Sequence, residues 1–184
     1  MTREEAFNLV TSQTENKNLV KHMFAVEAAM RGLADYFKED NNLWKIVGLI
    51  HDADYEKHPD THPLFLIEEL KKRKEDKVLI NAIKTHAWQY RDGLPEPTTK
   101  LEWSLYCCDE LTGLIVAVAL VRPEKKLSFV TVENVLKKWP EKSFAKGVSR
   151  EQISLCEEKL GIPLNQFIEI VLKSMQGISS ELGL

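Results

Sequence analysis

A helical spacing of apolar residues between Thr14 and Phe37 constrains the fold of this chain more than any other feature. Apolar side chains recur there at alternating steps of three and four residues, which places them on one face of an α-helix. The positions are Leu19, Met23, Val26, Met30, Leu33 and Phe37. Later segments repeat this spacing, and none shows the apolar and polar alternation typical of a strand. The sequence therefore predicts an all-α fold.

Capping and turn residues divide the rest of the chain into further predicted helices. Thr2 and Glu5 form a capping box for a short N-terminal helix. Asp60 or Thr61 is expected to cap another helix, whose first turn contains Pro63. The other predicted helices span residues 43–52, 79–90, 101–121, 131–139, 149–160 and 163–175.

The length and charge of the chain exclude several classes of protein. A chain of 184 residues can bury an apolar core without disulfide bonds, and no long linker divides it, so we expect one domain over residues 1–184. Its 25 Lys and Arg against 28 Asp and Glu give a formal net charge of -3. This composition does not predict the basic surface that binds a nucleic-acid polymer.

Cysteine content and hydropathy favour a soluble cytoplasmic protein. The three cysteines include the adjacent pair Cys107 and Cys108 but no CxxC spacing, so they predict neither a disulfide framework nor a zinc finger. We expect this pair to pack as small apolar side chains. The longest apolar stretch, residues 114–121, is far shorter than the roughly 20 residues of a membrane span. We expect no export signal and no membrane partner, and the oligomeric state stays open.

The dipeptide His51-Asp52 is the first indication of a functional site. It follows the apolar helical run of residues 43–50, and a histidine beside a carboxylate can ligate one cation together. Further residues of ligand type lie on other predicted helices: His22, His62, His86 and Asp109. His58, in a loop before a proline, is expected at the surface.

Helical spacing predicts that these side chains point inward. His22 is followed at one or two turns by Ala25 and Ala29, and His86 comes one turn after Ile83. Gly48 lies one turn before His51, and a glycine inside a helix costs roughly 1 kcal/mol relative to alanine, which suggests that another group approaches closely.

Asp109 lies among apolar neighbours on its predicted helix. An isolated ionised carboxylate there would be costly, so it is protonated, meets a basic residue or binds a cation. Glu102 and Glu110, the nearest charged residues in sequence, have the wrong sign. A metal held together with His22, His51 and Asp52 would supply the charge. Imidazole and carboxylate ligands favour Fe, Mn, Zn, Co or Ni over Ca or Mg.

The order His22, His51-Asp52, Asp109 on successive helices resembles the HD superfamily of metal-dependent phosphohydrolases. Residues 106–115 and 120–123 are also similar to a bacterial group known only as predicted HD-superfamily hydrolases, as are residues 143–150. The resemblance therefore covers most of the chain.

This resemblance implies a helical bundle with a metal-site core at about residues 15–122 and C-terminal helices at 131–182 that pack on it. One divalent ion is expected at positions His22, His51, Asp52 and Asp109. Members with two ions have extra histidines between the doublet and the final Asp, where this chain has His62 and His86, and Asp52 would then bridge the ions. The chain lacks the Gly-Tyr-Pro element of the cyclic-dinucleotide branch, which disfavours that substrate.

The expected function is hydrolysis of a small phosphate ester, with a nucleotide as the leading candidate, by a metal-activated water. Asp52 and Asp54 are the predicted catalytic residues, Asp54 either in proton transfer or behind the ligands. The residues predicted to neutralise substrate phosphate are Lys57, Lys84 and Arg122. Two alternatives stay open: a regulatory domain that binds metal or nucleotide without turnover, and a structural helical protein in which Asp109 meets an Arg. Trp88 and Tyr90 either stack on a base or, as we favour, pack between helices.

Overall fold

The computed structural model describes all 184 residues, and it contains helices and turns but no strand. The all-α prediction is confirmed. The helices are α1 (Arg3–Gln13), α2 (Lys17–Phe37), α3 (Asn41–Ile50), α4 (Leu64–Lys72), α5 (Lys77–His86), α6 (Lys100–Val121), α7 (Val132–Lys138), α8 (Arg150–Leu160), α9 (Leu164–Gln176) and α10 (Ser179–Leu182), with a 3₁₀ turn at Leu127–Phe129.

Helix α6 is the centre of the bundle. It packs against α2, α5, α8 and α9, and buried side chains such as Leu105, Leu111 and Ile115 lie on several of its faces. Its length and composition alone would allow it to cross a membrane, but 61% of its most apolar window is buried inside the protein, as expected for a central helix. Cys107 and Cys108 are also buried in this core.

Helices α2 and α3 touch through their backbones at Gly48. A Cβ atom at Gly48 would lie 2.8 Å from the carbonyl oxygen of Val26 and 3.0 Å from Cα of Glu27. The group that approaches Gly48 is therefore the α2 backbone and not a ligand of the site. This close approach brings His51, one turn later, against His22 on α2.

Two helix predictions were wrong at one end. Helix α4 begins at Leu64 after Pro63 and has no side-chain cap, because residues 58–63 form turns before it and neither Asp60 nor Thr61 reaches the cap position. Helix α5 ends at His86 and not at Tyr90, because the chain turns there, with Gln89 at a positive φ of 65°. Helix α10 and the 3₁₀ turn had no counterpart in the sequence pattern.

Candidate metal centre

Five separate parts of the fold bring six residues of ligand type to one place. Helix α2 carries His22, and His51 and Asp52 directly follow α3. His62 lies in the turn before α4, His86 is the last residue of α5, and Asp109 lies on α6. His62 lies in a turn, although the sequence pattern placed it in a helix.

The first group of side chains lies around one carboxylate oxygen of Asp109. His22 Nε2 lies 2.9 Å from Asp109 Oδ1, and His51 Nε2 lies 3.4 Å from the same oxygen. Asp52 closes the group through Oδ2, which is 3.6 Å from His51 Nε2 and 3.8 Å from His22 Nε2. The ligand atoms of His22, His51 and Asp52 lie within 4.8 Å of one another and could hold one metal ion, with Asp109 Oδ1 beside both imidazoles.

The second group uses the other oxygen of Asp52. Asp52 Oδ1 lies 3.4 Å from His62 Nε2 and 3.5 Å from His86 Nε2. These three residues could hold a second ion, since their ligand atoms lie within 4.8 Å of one another. Asp52 therefore presents one oxygen to each group, as a bridging carboxylate does.

Backbone carbonyls fix two of the imidazole rings. His51 Nδ1 lies 2.8 Å from the carbonyl oxygen of Gly48, and His86 Nδ1 lies 2.5 Å from that of Ile83. A carbonyl accepts but cannot donate, so each Nδ1 carries the proton and each Nε2 presents a lone pair to the cluster.

Side chains fix the other two rings. His62 Nδ1 donates to Asp54 Oδ1 at 2.7 Å, and the other Asp54 oxygen accepts the backbone N–H of Leu66 at 2.9 Å. His22 Nδ1 lies 3.4 Å from the hydroxyl of Thr112, which itself donates to the Asp109 carbonyl. A histidine held at Nδ1 by an outer hydrogen bond is the usual arrangement of a metal ligand.

The inward nitrogens lack the partners that buried imidazoles normally have. His51 Nε2 is buried without a hydrogen-bond partner. His62 Nε2 and His86 Nε2 lie 3.1 Å apart although the outer bonds leave a lone pair on each. Two facing lone pairs repel unless a proton or a cation lies between them. The donor set therefore fits divalent metal ions.

The electrostatics of the cluster favour an added positive charge. Burial alone lowers the pKa of His51, but the carboxylates of Asp52 and Asp109 outweigh burial and raise it to about 9. Burial raises the pKa of both carboxyl groups, yet the His51 imidazole lowers them below their usual range. A site that binds a proton this firmly also attracts a divalent cation.

An open cavity of about 440 Å³ leads to the cluster. Every proposed ligand except His51 lines it, and so do ten other residues: Leu19, Tyr55, Ala87, Trp88, Tyr90, Glu110, Gly113, Gly147, Val148 and Gln152. None of them is lysine or arginine. The cavity is large enough for a small organic ligand.

Two tyrosines lie at the mouth of the cavity beside His62. The ring centroid of Tyr55 is 5.3 Å from that of His62, and that of Tyr90 is 6.1 Å away. The neighbouring Tyr90 hydroxyl raises the pKa of Tyr55. Tyr90 is 63% exposed, so the preference for packing at this residue was wrong. Sequence reasoning missed Tyr55, although an aromatic residue three positions after Asp52 could have indicated it.

Trp88 packs between helices, as we expected from the sequence. Its ring meets that of Trp103 edge to face at 5.8 Å and lies 5.5 Å from that of Tyr106. One side of Trp88 still lines the cavity. It therefore contributes mainly to the wall.

The three predicted phosphate-binding cations do not line the cavity, which corrects that expectation. Lys57 Nζ donates to the Ser12 carbonyl at 2.7 Å. Lys84 lies two residues before His86 on α5, about 200° around the helix from it. Arg122 follows α6 and donates to Asn134, about 20 Å along the helix axis from Asp109.

Asp54 and His58 also lie outside the cavity. The Asp54 side chain is completely buried behind His62, so the structure favours an orienting role over the predicted role in catalysis. His58 stacks on Phe65 with ring centroids 3.7 Å apart. Its ring is part-buried there and takes no part in the cluster.

Glu110 lines the cavity beside Asp109. Its Oε2 accepts the backbone N–H of Ser149 at 2.9 Å, and burial raises the pKa of this carboxyl. Sequence reasoning considered Glu110 only as a charge of the wrong sign for Asp109. Its position one residue after a ligand could have indicated a place at the rim.

The chain matches a known protein family. The model of the HD domain matches residues 19–160, which include all six residues of the cluster. No curated protein matches the chain.

Proposed function

The chain belongs to the HD domain family, and from this premise we propose that it is a phosphohydrolase that cleaves small phosphate monoesters with two divalent metal ions. HD domains are typically metal-dependent hydrolases. A non-catalytic metal or nucleotide sensor is the competing function.

One observation carries the proposal: four imidazole Nε2 atoms and two carboxylates converge, with one Asp52 oxygen turned to each histidine group. His22, His51, Asp109 and Asp52 Oδ2 would hold one ion. His62, His86 and Asp52 Oδ1 would hold the other. The mixed nitrogen and oxygen ligands favour Fe, Mn, Co, Ni or Zn.

Divalent ions in such a site lower the pKa of bound water and neutralise phosphoryl oxygens. The protein residues supply the rest of the site. Asp54, Thr112 and the two carbonyls keep the ligand rings in the tautomer that leaves Nε2 free. The wall formed by Trp88 and Val148 limits the size of the substrate.

The tyrosines at the mouth support a nucleotide as substrate. Tyr55 and Tyr90 are exposed and line the cavity next to His62. Aromatic faces of this kind stack on planar rings such as nucleobases. We therefore include nucleoside monophosphates among the candidate substrates.

The test combines metal analysis with a substrate screen. Purified protein is reconstituted separately with Mn, Co, Ni, Fe and Zn, its metal content is measured, and phosphomonoesters are assayed for release of inorganic phosphate. We expect about two ions per chain and hydrolysis that Asp52→Ala abolishes. His58→Ala is the matched control, because this histidine lies outside the cluster.

Three results would decide against the proposal in different ways. Activity that survives Asp52→Ala would contradict the mechanism. Stoichiometric metal without turnover of any ester would favour the sensor. Absence of bound metal after reconstitution would leave the cluster without its proposed role.

A further inference from the structure

The charges around the cavity differ from those expected for a site that binds several phosphates. The only fixed charges on its lining, apart from the histidines, are the carboxylates of Asp52, Asp109 and Glu110. Sites that bind di- or triphosphates usually provide lysine or arginine for the additional charge. Here the metal ions of the proposed function would be the main source of positive charge.

Two arginines that are close in sequence to residues of the cavity lining are engaged elsewhere. Arg91 donates to the backbone carbonyls of His62 and Asp60. Arg150 is buried and donates to carbonyls at Phe144, Ala145 and Val148. Neither guanidinium faces the cavity.

Lys146 lies in the neighbouring groove. Val148 lines both this groove and the cavity and so lies between them, and Lys146 lines only the groove. The cavity lining therefore has no lysine or arginine side chain that could bind a second anionic group of a substrate.

Glu110 is held in place at the cavity wall. The Ser149 N–H binds its Oε2, and no hydrogen bond occupies its Oε1. The Glu110 carboxylate lines the same cavity as His22, Asp52 and Asp109. With two divalent ions, the three carboxylates would leave the site at a net charge of about +1, which suits one phosphate group.

We propose that the substrate is a phosphomonoester whose organic half is neutral or positively charged, and that Glu110 disfavours esters with a second anionic group. This inference rests on the proposed function. An ammonium or hydroxyl group near Glu110 would find an acceptor there, whereas a carboxylate or second phosphate would meet a like charge. Nucleoside monophosphates satisfy this rule, and nucleoside di- and triphosphates do not.

The test uses three esters of nearly equal size that differ at one group: 2-aminoethyl phosphate, 2-hydroxyethyl phosphate and phosphoglycolate. With the reconstituted enzyme we expect kcat/KM for phosphoglycolate to be at least about tenfold below that of the hydroxyl ester. The ammonium ester should equal or exceed the hydroxyl ester. Where turnover is too slow, the inhibition constant against p-nitrophenyl phosphate replaces kcat/KM.

Glu110→Gln tests the assigned residue, because glutamine keeps an oxygen for the Ser149 N–H. We expect kcat/KM for phosphoglycolate, divided by kcat/KM for 2-hydroxyethyl phosphate, to rise about tenfold in this variant. Glu158→Gln, at an exposed glutamate on α8, should leave the ratio unchanged. Calorimetric affinities for the matching phosphonates, which are not hydrolysed, should follow the same order and give a readout independent of turnover.

The outcomes separate this inference from the proposed function. Hydrolysis of all three esters at equal kcat/KM by the wild-type enzyme would overturn the inference alone, whether or not Glu110→Gln folds. An unchanged ratio in a folded Glu110→Gln would overturn the role of Glu110. Failure to hydrolyse any ester, including p-nitrophenyl phosphate, would overturn both.

Discussion

His62 and His86 direct their Nε2 atoms at each other over 3.1 Å, while Asp54 and the Ile83 carbonyl hold the opposite nitrogen of each ring. The outer bonds determine that both inner nitrogens carry lone pairs. Such a pair is stable only with a proton or a cation between the rings. This relationship makes the second histidine group a candidate metal site in its own right.

Asp54→Asn should remove the second ion selectively. The amide oxygen of the new asparagine would accept the Leu66 N–H, so its NH₂ group would face His62 Nδ1. His62 Nδ1 would then have to accept a hydrogen bond, and the proton of the ring would move to Nε2, the nitrogen that binds the metal. We expect metal content to fall from about two ions per chain to about one. Elemental analysis of the reconstituted variant measures this change.

Asp60→Asn is the matched control for Asp54→Asn, because its side chain is exposed in the same loop. It should keep the wild-type metal content. A folded Asp54→Asn with the full complement of metal would refute the positioning role of Asp54.

The metal-free protein should lose stability as pH rises through neutrality. The pKa of His51 is about 9 in the fold against 6.5 for an unperturbed histidine, so the folded state binds more protons than the unfolded chain between these values. The stabilisation of the fold by protonated His51 is therefore fully present below about pH 6.5 and is lost as the pH rises to about 9. It should amount to about 3 kcal/mol in free energy of unfolding.

Urea unfolding at several pH values measures this effect. Saturating metal should abolish the loss, because the ion then takes the place of the proton. A free energy of unfolding that does not fall between pH 6.5 and 9 in the metal-free protein would refute this prediction.

Gly48→Ala should destabilise the fold by about 1 to 3 kcal/mol, because overpacking would separate α2 from α3. The new Cβ would meet the Val26 carbonyl oxygen at 2.8 Å. Gly113→Ala is the matched variant in another helix, where the nearest atom is Val148 Cγ2 at 3.6 Å. It should stabilise by up to about 1 kcal/mol through helix propensity. Equal effects in urea unfolding would contradict the proposed backbone contact.

Tyr90→Ala should weaken the binding of nucleotides but not of small esters. Loss of one stacking ring is worth about 1 kcal/mol, so KM for a nucleoside monophosphate should rise about fivefold to tenfold. KM for 2-hydroxyethyl phosphate, which has no ring, should change less than about twofold. Steady-state kinetics of both substrates measure the difference.

Tyr36→Ala, at an exposed tyrosine on α2 that does not line the cavity, is the control for Tyr90→Ala. It should change neither KM. An equal rise of KM for both substrates in Tyr90→Ala would argue against stacking on a base.

Local chemistry made much of the fold and the cluster predictable. Helical spacing and caps depend on residues three or four apart, so the sequence predicted most helices, including α2 and α6. The ligand candidates were recognisable because few residue types bind transition metals and because inward helical faces restrict them. The ends of α4 and α5 were missed because turn conformations of residues 58–63 and 87–90 override the helical pattern.

The sequence by itself thus determined an all-α chain of the HD family and the six residues of the cluster. Only the tertiary structure decided that the two Asp52 oxygens face different histidine groups and that Asp54 lies behind His62. It also turned Lys57, Lys84 and Arg122 away from the cavity and brought Tyr55 and Glu110 to it. The physical reason is that the direction of a side chain at a shared site depends on how helices distant in sequence pack together. The backbone contact of α2 with α3 at Gly48, for example, brings His22 and His51 together.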